Sequence, residues 1–350
     1  MAELTIFCPG GAPGGRLGRV LDAALSGRGA KLRTRLPAAP GERILFAVAL
    51  DGEGIQPALT ALLGQLRSTP GALEGCIGGV VVDGCGELYT KAAARELVLA
   101  ANLAGCAFVG RPLTEATGSL RNFTVQAANA ACSPEEAYRR AVADLADRLL
   151  AFSPPRRSRP ALAVLHASTH GTSNTLALWS GVRERLGDRC SVTEIGLRNG
   201  TLEDCSGCPY TMCLHFGERG GCFYGGVMVQ EVYPAVRECD ALVLLCPNYN
   251  DAMPANLAAA VNRLTALYRA VSFSDKALLG IVVSGYSGGD LVAAQLVGAL
   301  CMNKGFWLPP RFCLLETAND AGEAARLPGI GARLDAFAEN LCRALGPEDR

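Results

Sequence analysis

Leu242–Leu264 reads LVLLCPNYNDAMPANLAAAVNRL. The opening run is apolar at every position, the pattern of a strand buried on both faces of a parallel sheet. Pro247 ends that strand, because proline has no N–H to continue the ladder. The chain turns and resumes as an amphipathic helix after Pro254, since proline suits a first helical turn. An upstream stretch does the same: Leu45–Leu66 reads LFAVALDGEGIQPALTALLGQL, with Pro57 standing 197 residues before Pro254. Working outward, Gly78–Ala93 (GGVVVDGCGELYTKAA) matches Leu279–Ala294 (LGIVVSGYSGGDLVAA) at an offset of 201, and Gly105 matches Gly305 at 200. The closing helices near Ala141–Leu150 and Arg333–Cys342 also correspond. Several matches in one order at near-constant offset indicate a duplicated domain.

The rest of the chain alternates in the same way. Short strand-like runs stand at Leu4–Cys8, Arg43–Leu50, Ile77–Val82, Ala161–His166, Ser191–Ile195, Ala241–Cys246 and Leu278–Val283, each leading to turns and helices. That alternation specifies an α/β protein of doubly wound parallel sheets with helices on both faces. Ser133, Pro134 and Glu136 form a capping box for a helix that runs to about Ala151. Ser153–Pro160 (SPPRRSRP) then breaks the pattern with three prolines and no large apolar residue, and marks the boundary. The expected domains are 1–152, a Pro/Arg linker at 153–160, and 161–350.

The chain has 350 residues, 33 basic and 33 acidic, with 49% apolar and 19% charged side chains. Such a composition buries large cores, and its zero net charge gives no basic face for nucleic acid. No apolar run approaches membrane-spanning length, and the N-terminus lacks the charged and apolar regions of a signal peptide. The expected location is therefore cytoplasmic, with no nucleic-acid or membrane partner. Fifteen cysteines is an odd number, a poor fit to a secreted disulfide framework. Most of them, including Cys8, Cys76, Cys106, Cys190, Cys239, Cys246, Cys301, Cys313 and Cys342, read as packing residues. Only three histidines, His166, His170 and His215, are available for acid–base work.

Three loops of the second half carry candidate chemistry. ALAVLH runs into Ala167–Thr175 (ASTHGTSNT) and then a helix. A hydroxyl-rich turn at a helix N-terminus is either an anion site or an ordinary Ser/Thr cap. Without the Gly-Lys-Ser/Thr of a triphosphate loop, a monophosphate suits it better. The second loop, Pro247-Asn248-Tyr249-Asn250, puts an aromatic at the carboxyl edge of the sheet, where open α/β folds bind ligands. The third, Ser284-Gly285-Tyr286-Ser287-Gly288-Gly289, allows close backbone approach.

On these motifs, Ala161 to about Leu315 resembles the flavodoxin-like NAD(P)H-dependent FMN reductase family, and most nearly its iron–sulfur flavoprotein branch. Ser168 and Ser173-Asn174-Thr175 match the family's phosphate loop, with Ala167 and His170 where glycine and arginine are usual. Pro247-Asn248-Tyr249 matches its Pro-x-Tyr loop. Pro254-Ala255-Asn256-Leu257 and Arg263 match the helix that follows, with Ala258 and Asn262 replacing lysine and aspartate. The resemblance implies two tandem flavodoxin-like domains and an FMN held by the second. Ser168, His170, Ser173, Asn174 and Thr175 would take the phosphate. Pro247, Asn248, Tyr249, Asn250, Ser284, Gly285, Tyr286 and Gly288 would face the ring, Tyr249 and Tyr286 flanking it. NAD(P)H or a ferredoxin-like protein would be the donor.

Asp204–Gly226 reads DCSGCPYTMCLHFGERGGCFYGG, placing Cys205, Cys208, Cys213 and Cys222 at C-x2-C-x4-C-x8-C. Four cysteines on a glycine-rich loop suit a [4Fe–4S] cluster or structural zinc, and a loop without metal stays open. The resemblance favours the cluster. The first half keeps the fold pattern without the chemistry. Its first loop, Cys8–Val20 (CPGGAPGGRLGRV), has no hydroxyl residue, Leu50-Asp51-Gly52 replaces the aromatic loop, and Asp51 and Asp83 bring negative charge to the edge. It reads as a domain without cofactor that could serve as a built-in partner, giving a monomeric pseudo-dimer or a homo-oligomer. The function expected is an FMN-dependent oxidoreductase or electron-transfer iron–sulfur flavoprotein serving a redox partner or small acceptor. The alternatives are a cluster-free NAD(P)H-dependent FMN or quinone reductase, a non-enzymatic electron carrier, and a zinc-stabilised binding module.

Overall fold

The computed structural model describes residues 3–36, 40–168 and 171–346. The chain divides into two compact units, Met1–Ser153 and Pro154–Arg350. The first contains β1 (Leu4–Phe7), α1 (Gly15–Leu25), β2 (Lys31–Arg33), β3 (Arg43–Leu50), α2 (Pro57–Ser68), β4 (Ile77–Gly84), α3 (Thr90–Leu103), β5 (Ala107–Ala116), α4 (Thr124–Asn129) and α5 (Pro134–Ala151). Its five strands are parallel in the order β2-β1-β3-β4-β5. The second contains β6 (Ala161–His166), α6 (Asn174–Leu186), β7 (Ser191–Gly196), α7 (Tyr210–Glu218), α8 (Tyr233–Glu238), β8 (Ala241–Pro247), α9 (Ala255–Tyr268), β9 (Ala277–Ser284), α10 (Gly289–Leu296), β10 (Cys313–Thr317) and α11 (Ile330–Leu345). Its sheet runs β7-β6-β8-β9-β10, also parallel. Both sheets thus share one order, which is the flavodoxin-like one, with its switch point between the first and third strands.

The central strands β4 and β9 are buried along their whole length, as their unbroken apolar runs require. Gly105 and Gly305 both take positive φ, +106° and +94°, and turn the chain after α3 and after the π-helical segment Val297–Lys304 that continues α10. Edge strand β5 departs from simple pairing. Arg111 has φ +54°, and the register with β4 shifts between Gly78 and Val80. Pro112 is tolerated because an edge strand has a free side. Arg148 from α5 donates to the carbonyls of Gly110 at 2.8 Å and Arg111 at 3.3 Å.

Ser133 caps α5, its hydroxyl accepting from the Glu136 N–H at 3.1 Å. The Glu136 carboxylate does not return to the cap. It takes Arg139 (2.6 Å) and Arg140 (2.8 Å) instead, so half of the expected box forms. The Pro/Arg segment lies against its own unit. The Arg157 N–H donates to the Leu345 carbonyl at 2.8 Å, and its guanidinium pairs with Asp240 at 2.9 Å. Asp240 also accepts from the Ala161 N–H at 2.9 Å, which fixes the entry to β6. Among the described residues no helix is long and apolar enough to cross a membrane.

Candidate active site

The carboxyl ends of β6 and β8 diverge at the switch point and open a cavity of about 660 Å³, within the usual range for small-ligand sites. Ala167, Ser168, Thr172, Ser173, Asn174 and Thr175 line one side, from the loop after β6 and the start of α6. Pro247, Asn248, Tyr249, Pro254, Ala255 and Asn256 line another, with Val283, Gly285, Asn199, Ala318 and Asn319 completing the wall. None of these side chains is charged. An anion here would be met by hydroxyls, by free N–H groups and by the positive end of the α6 dipole.

The hydroxyls form a chain: Ser168 to Ser173 at 2.8 Å and Ser173 to Thr175 at 3.0 Å. Ser173 also caps α6, accepting from the Leu176 N–H at 3.4 Å. Opposite, the Asn248 amide nitrogen donates to the Ser287 carbonyl at 2.9 Å and the Ser284 hydroxyl at 3.2 Å. Its Oδ1 is buried and has no hydrogen-bond partner. An unpaired buried acceptor costs free energy, so Asn248 is set to receive a donor from a ligand. Tyr249 and Ala252 exchange backbone hydrogen bonds at 3.2 Å across Asn250 and Asp251, whose φ values are +54° and +57°. This is a type I′ turn, and it holds Tyr249 outward at 62% exposure.

Several candidate residues stand outside the cavity wall. Asn250 is a turn residue. Ser284 is buried beneath Asn248, and Tyr286 is 82% exposed. Gly288 has φ +83° and lies against the turn, where a Cβ would sit 2.1 Å from Asp251 Oδ1. His170 lies outside the described residues. Asn174 is at the wall, but its amide is already bonded. It donates to the carbonyls of Ala318 (3.3 Å) and Asp320 (3.0 Å) and accepts from the Ala324 N–H at 3.1 Å. It therefore fastens α6 to the loop after β10. Asn199 and Asn319 belong to no motif read in the sequence, and Asn256 enters there only as part of the Pro254–Leu257 match. Asn199 and Asn319 lie on separate loops, and Asn256 lies in the first turn of α9. Asn256 bridges to the Leu197 carbonyl at 2.8 Å and Asn199 at 3.1 Å.

Residues 160–320 match the family model described as NADPH-dependent FMN reductase. The C-terminal half carries a domain of that family. No curated protein matches the chain. Solved structures similar to this chain include RosB with bound 8-demethyl-8-formylriboflavin-5'-phosphate, at 12% identity and TM-score 0.41, covering 53% of this chain and 78% of the other. The NAD(P)H:quinone oxidoreductase from Methanothermobacter marburgensis is 14% identical at TM-score 0.40, covering 52% and 97%. A putative quinone reductase from Klebsiella pneumoniae is 18% identical at TM-score 0.39, covering 54% and 86%.

The cysteine segment of the reductase domain is clasped at both ends by α9. Arg263, 3% exposed, donates to the Gly225 carbonyl at 2.7 Å and the Glu203 carbonyl at 3.4 Å. Asn262 donates to Asp204 Oδ1 at 3.0 Å. Within the loop the four cysteines do not converge. Among the described residues no group of three or more His, Cys, Asp or Glu is placed to hold a metal ion. The reason is local. Helix α7 starts at Tyr210, between Cys208 and Cys213, and carries Cys213 away on a helical turn. Cys205 stays exposed on the extended segment before it. Cys222 lies beside the Tyr233 hydroxyl. Burial and then Cys222 push that hydroxyl's pKa upward, and it donates to the Arg263 carbonyl at 2.7 Å. As placed, the four thiols do not fit a tetrathiolate cluster.

The equivalent edge of the first unit is filled from within. Arg16, in the first turn of α1, meets Asp83 with two hydrogen bonds of 2.9 and 3.0 Å. It also donates to the carbonyls of Gly84 (3.1 Å), Thr117 (2.9 Å) and Gly118 (3.0 Å). Asp83 therefore does not present free negative charge at this edge, as its position alone suggests. Its carboxylate is the counterion of a plug that ties the ends of β4 and β5 to α1.

Proposed function

We propose that this protein is an FMN-dependent oxidoreductase whose C-terminal domain accepts electrons from NAD(P)H and passes them to a quinone or similar small acceptor. The reading rests on one observation. The unpartnered, buried Asn248 Oδ1 and the hydroxyl chain at the start of α6 face one uncharged cleft at the switch point. These residues fit the two ends of FMN. Ser168, Ser173 and Thr175 would hold the phosphate, with α6 contributing its dipole. Asn248 would accept a hydrogen bond from the ring, and Tyr249 would wall its exposed side. FMN, when bound, supplies hydride acceptance and donation. The chain's own part is to position the ring and limit water around it.

The test is binding and turnover on the full chain. FMN affinity is read from flavin fluorescence, and NADPH oxidation with a quinone acceptor from absorbance. Ser173→Ala and Asn248→Leu are each expected to weaken FMN binding by about tenfold, the worth of one hydrogen bond to a charged or buried group. A folded protein that binds no FMN would remove the reading.

A second reading, electron transfer through a [4Fe–4S] cluster, is favoured by the C-x2-C-x4-C-x8-C spacing of the four cysteines alone. Iron and sulfide assays on anaerobically purified protein decide it. About four irons per chain would support it, and flavin without iron would leave the loop structural.

A further inference from the structure

Far from the cleft, at the amino end of the second sheet, Cys190 immediately precedes edge strand β7. Cys342 lies near the end of α11, 152 residues later in sequence. The two thiols lie close enough to perturb one another. Ion pairs on either side hold the two elements in place. Arg189 binds Glu339 at 2.9 Å and donates to the Arg185 carbonyl at 2.7 Å, while Arg185 pairs with Asp335. Cys190 is 4% exposed, and Cys342 is partly open to solvent.

The charges around the pair separate its members. Each thiol acts on the other: Cys190 lowers the Cys342 pKa, and Cys342 raises that of Cys190. Arg189 lowers both, Arg159 lowers Cys190, and Glu339 on α11 opposes Arg189 at Cys342. The more exposed sulfur is thus the better nucleophile, and the buried one stands in reserve beside it. That is the arrangement of an attacking and a resolving thiol.

We propose that Cys342 and Cys190 form a peroxide-responsive dithiol, with Cys342 attacking and Cys190 resolving. The Cys342 thiolate attacks a peroxide oxygen, an S–O bond forms, and the O–O bond breaks. The departing hydroxide takes a proton and leaves as water. Cys190 then loses its proton and attacks the sulfenic sulfur. The S–S bond forms, the S–O bond breaks, and hydroxide leaves with that proton as a second water. Two thiols are oxidised and one hydrogen peroxide is reduced to two waters. The product ties edge strand β7 to the C-terminal helix.

The full chain is treated with equimolar hydrogen peroxide, quenched with N-ethylmaleimide and digested with trypsin without reductant. Cleavage after Arg189, Arg198, Arg333 and Arg343 isolates each cysteine in its own peptide with no other cysteine. The expected product joins Cys190–Arg198 to Leu334–Arg343 and is lost on adding dithiothreitol. In Cys190→Ala the link is absent, and dimedone labels Cys342. The alkylation midpoint of Cys342 should lie below the ordinary thiol value of about 8.5 and rise in Cys190→Ala. Failure of the native protein to give the linked peptide overturns the proposal, as does a Cys342 midpoint that Cys190→Ala leaves unchanged.

Discussion

Replacing Arg16 by methionine keeps the apolar stem and removes every hydrogen bond of the guanidinium. Two of these go to Asp83, and three go to carbonyls of Gly84, Thr117 and Gly118. The Arg16 and Asp83 side chains are 19% and 11% exposed. Removing one partner of a buried pair costs about 3–5 kcal/mol, because the other charge is left without a counterion. Partial solvent access puts the expectation at the lower end, about 3 kcal/mol, which is about 6–12 °C in the melting of a domain this size. Both tryptophans, Trp179 and Trp307, belong to the second unit. Tryptophan fluorescence therefore follows that unit alone, while far-ultraviolet circular dichroism follows both. Arg16→Met should bring a circular-dichroism transition to lower temperature and leave the fluorescence transition in place. Arg16→Met combined with Asp83→Leu should recover most of the loss, since no charge is then stranded. A single variant within about 1 kcal/mol of the native protein would refute the plug, as would a double variant no better than the single, since paired buried charges couple more strongly than that.

Gly288→Ala places a Cβ 2.1 Å from Asp251 Oδ1 and 2.9 Å from Asn248 Nδ2 at φ +83°. Displacing the turn that carries Tyr249 should destabilise the second unit by about 1–3 kcal/mol, read by tryptophan fluorescence, and weaken FMN binding with it. Arg263→Met releases the Glu203 and Gly225 carbonyls. Tryptic cleavage at Arg219, between those anchors, should accelerate by about tenfold or more as local opening becomes easier; an unchanged rate would show the clasp to be unnecessary. Glu136 is held at about 2 by hydrogen bonds from Arg139 and then Arg140. A depressed folded-state pKa stabilises above the unfolded value of about 4.3 and loses that contribution as pH falls towards 2. The stability gap between native protein and Glu136→Gln, measured by urea unfolding, should be present at pH 6 and close between about pH 4.5 and 2.

Strands β3, β4, β6, β8 and β9 are plain in the sequence because burial on both faces demands unbroken apolar runs. The two edge strands of the first sheet are not. β2 is three exposed residues, Lys31, Leu32 and Arg33. β5 carries Pro112 and the positive-φ Arg111, each of which argues locally against a strand. Nothing local compensates, since the carbonyls they leave open are satisfied by Arg148 on another element. At the cleft, Ser168, Ser173, Asn248 and Tyr249 are legible because their loops follow directly from strands. Asn199, Asn256 and Asn319 become neighbours only through the sheet order. Asn174 has the right residue type for a ligand contact, but tertiary hydrogen bonds take up its amide. For the cysteines, spacing describes the chain but not its path, and helix α7 separates thiols that lie close in sequence.

The two sheet edges also differ in how they respond to ions. At the first, a guanidinium and a carboxylate hold the loops, so the edge depends on formal charge. At the second, the described wall contributes only dipoles: hydroxyls, amides and a helix end. Counterions shield separated charges over about 8 Å at physiological salt, and they have no ion pair to weaken at this wall. An anion seated there would have an affinity nearly level across ionic strength, with its pH response set by its own titration. The same topology, twice in one chain, thus offers one edge built from charge and one walled without it.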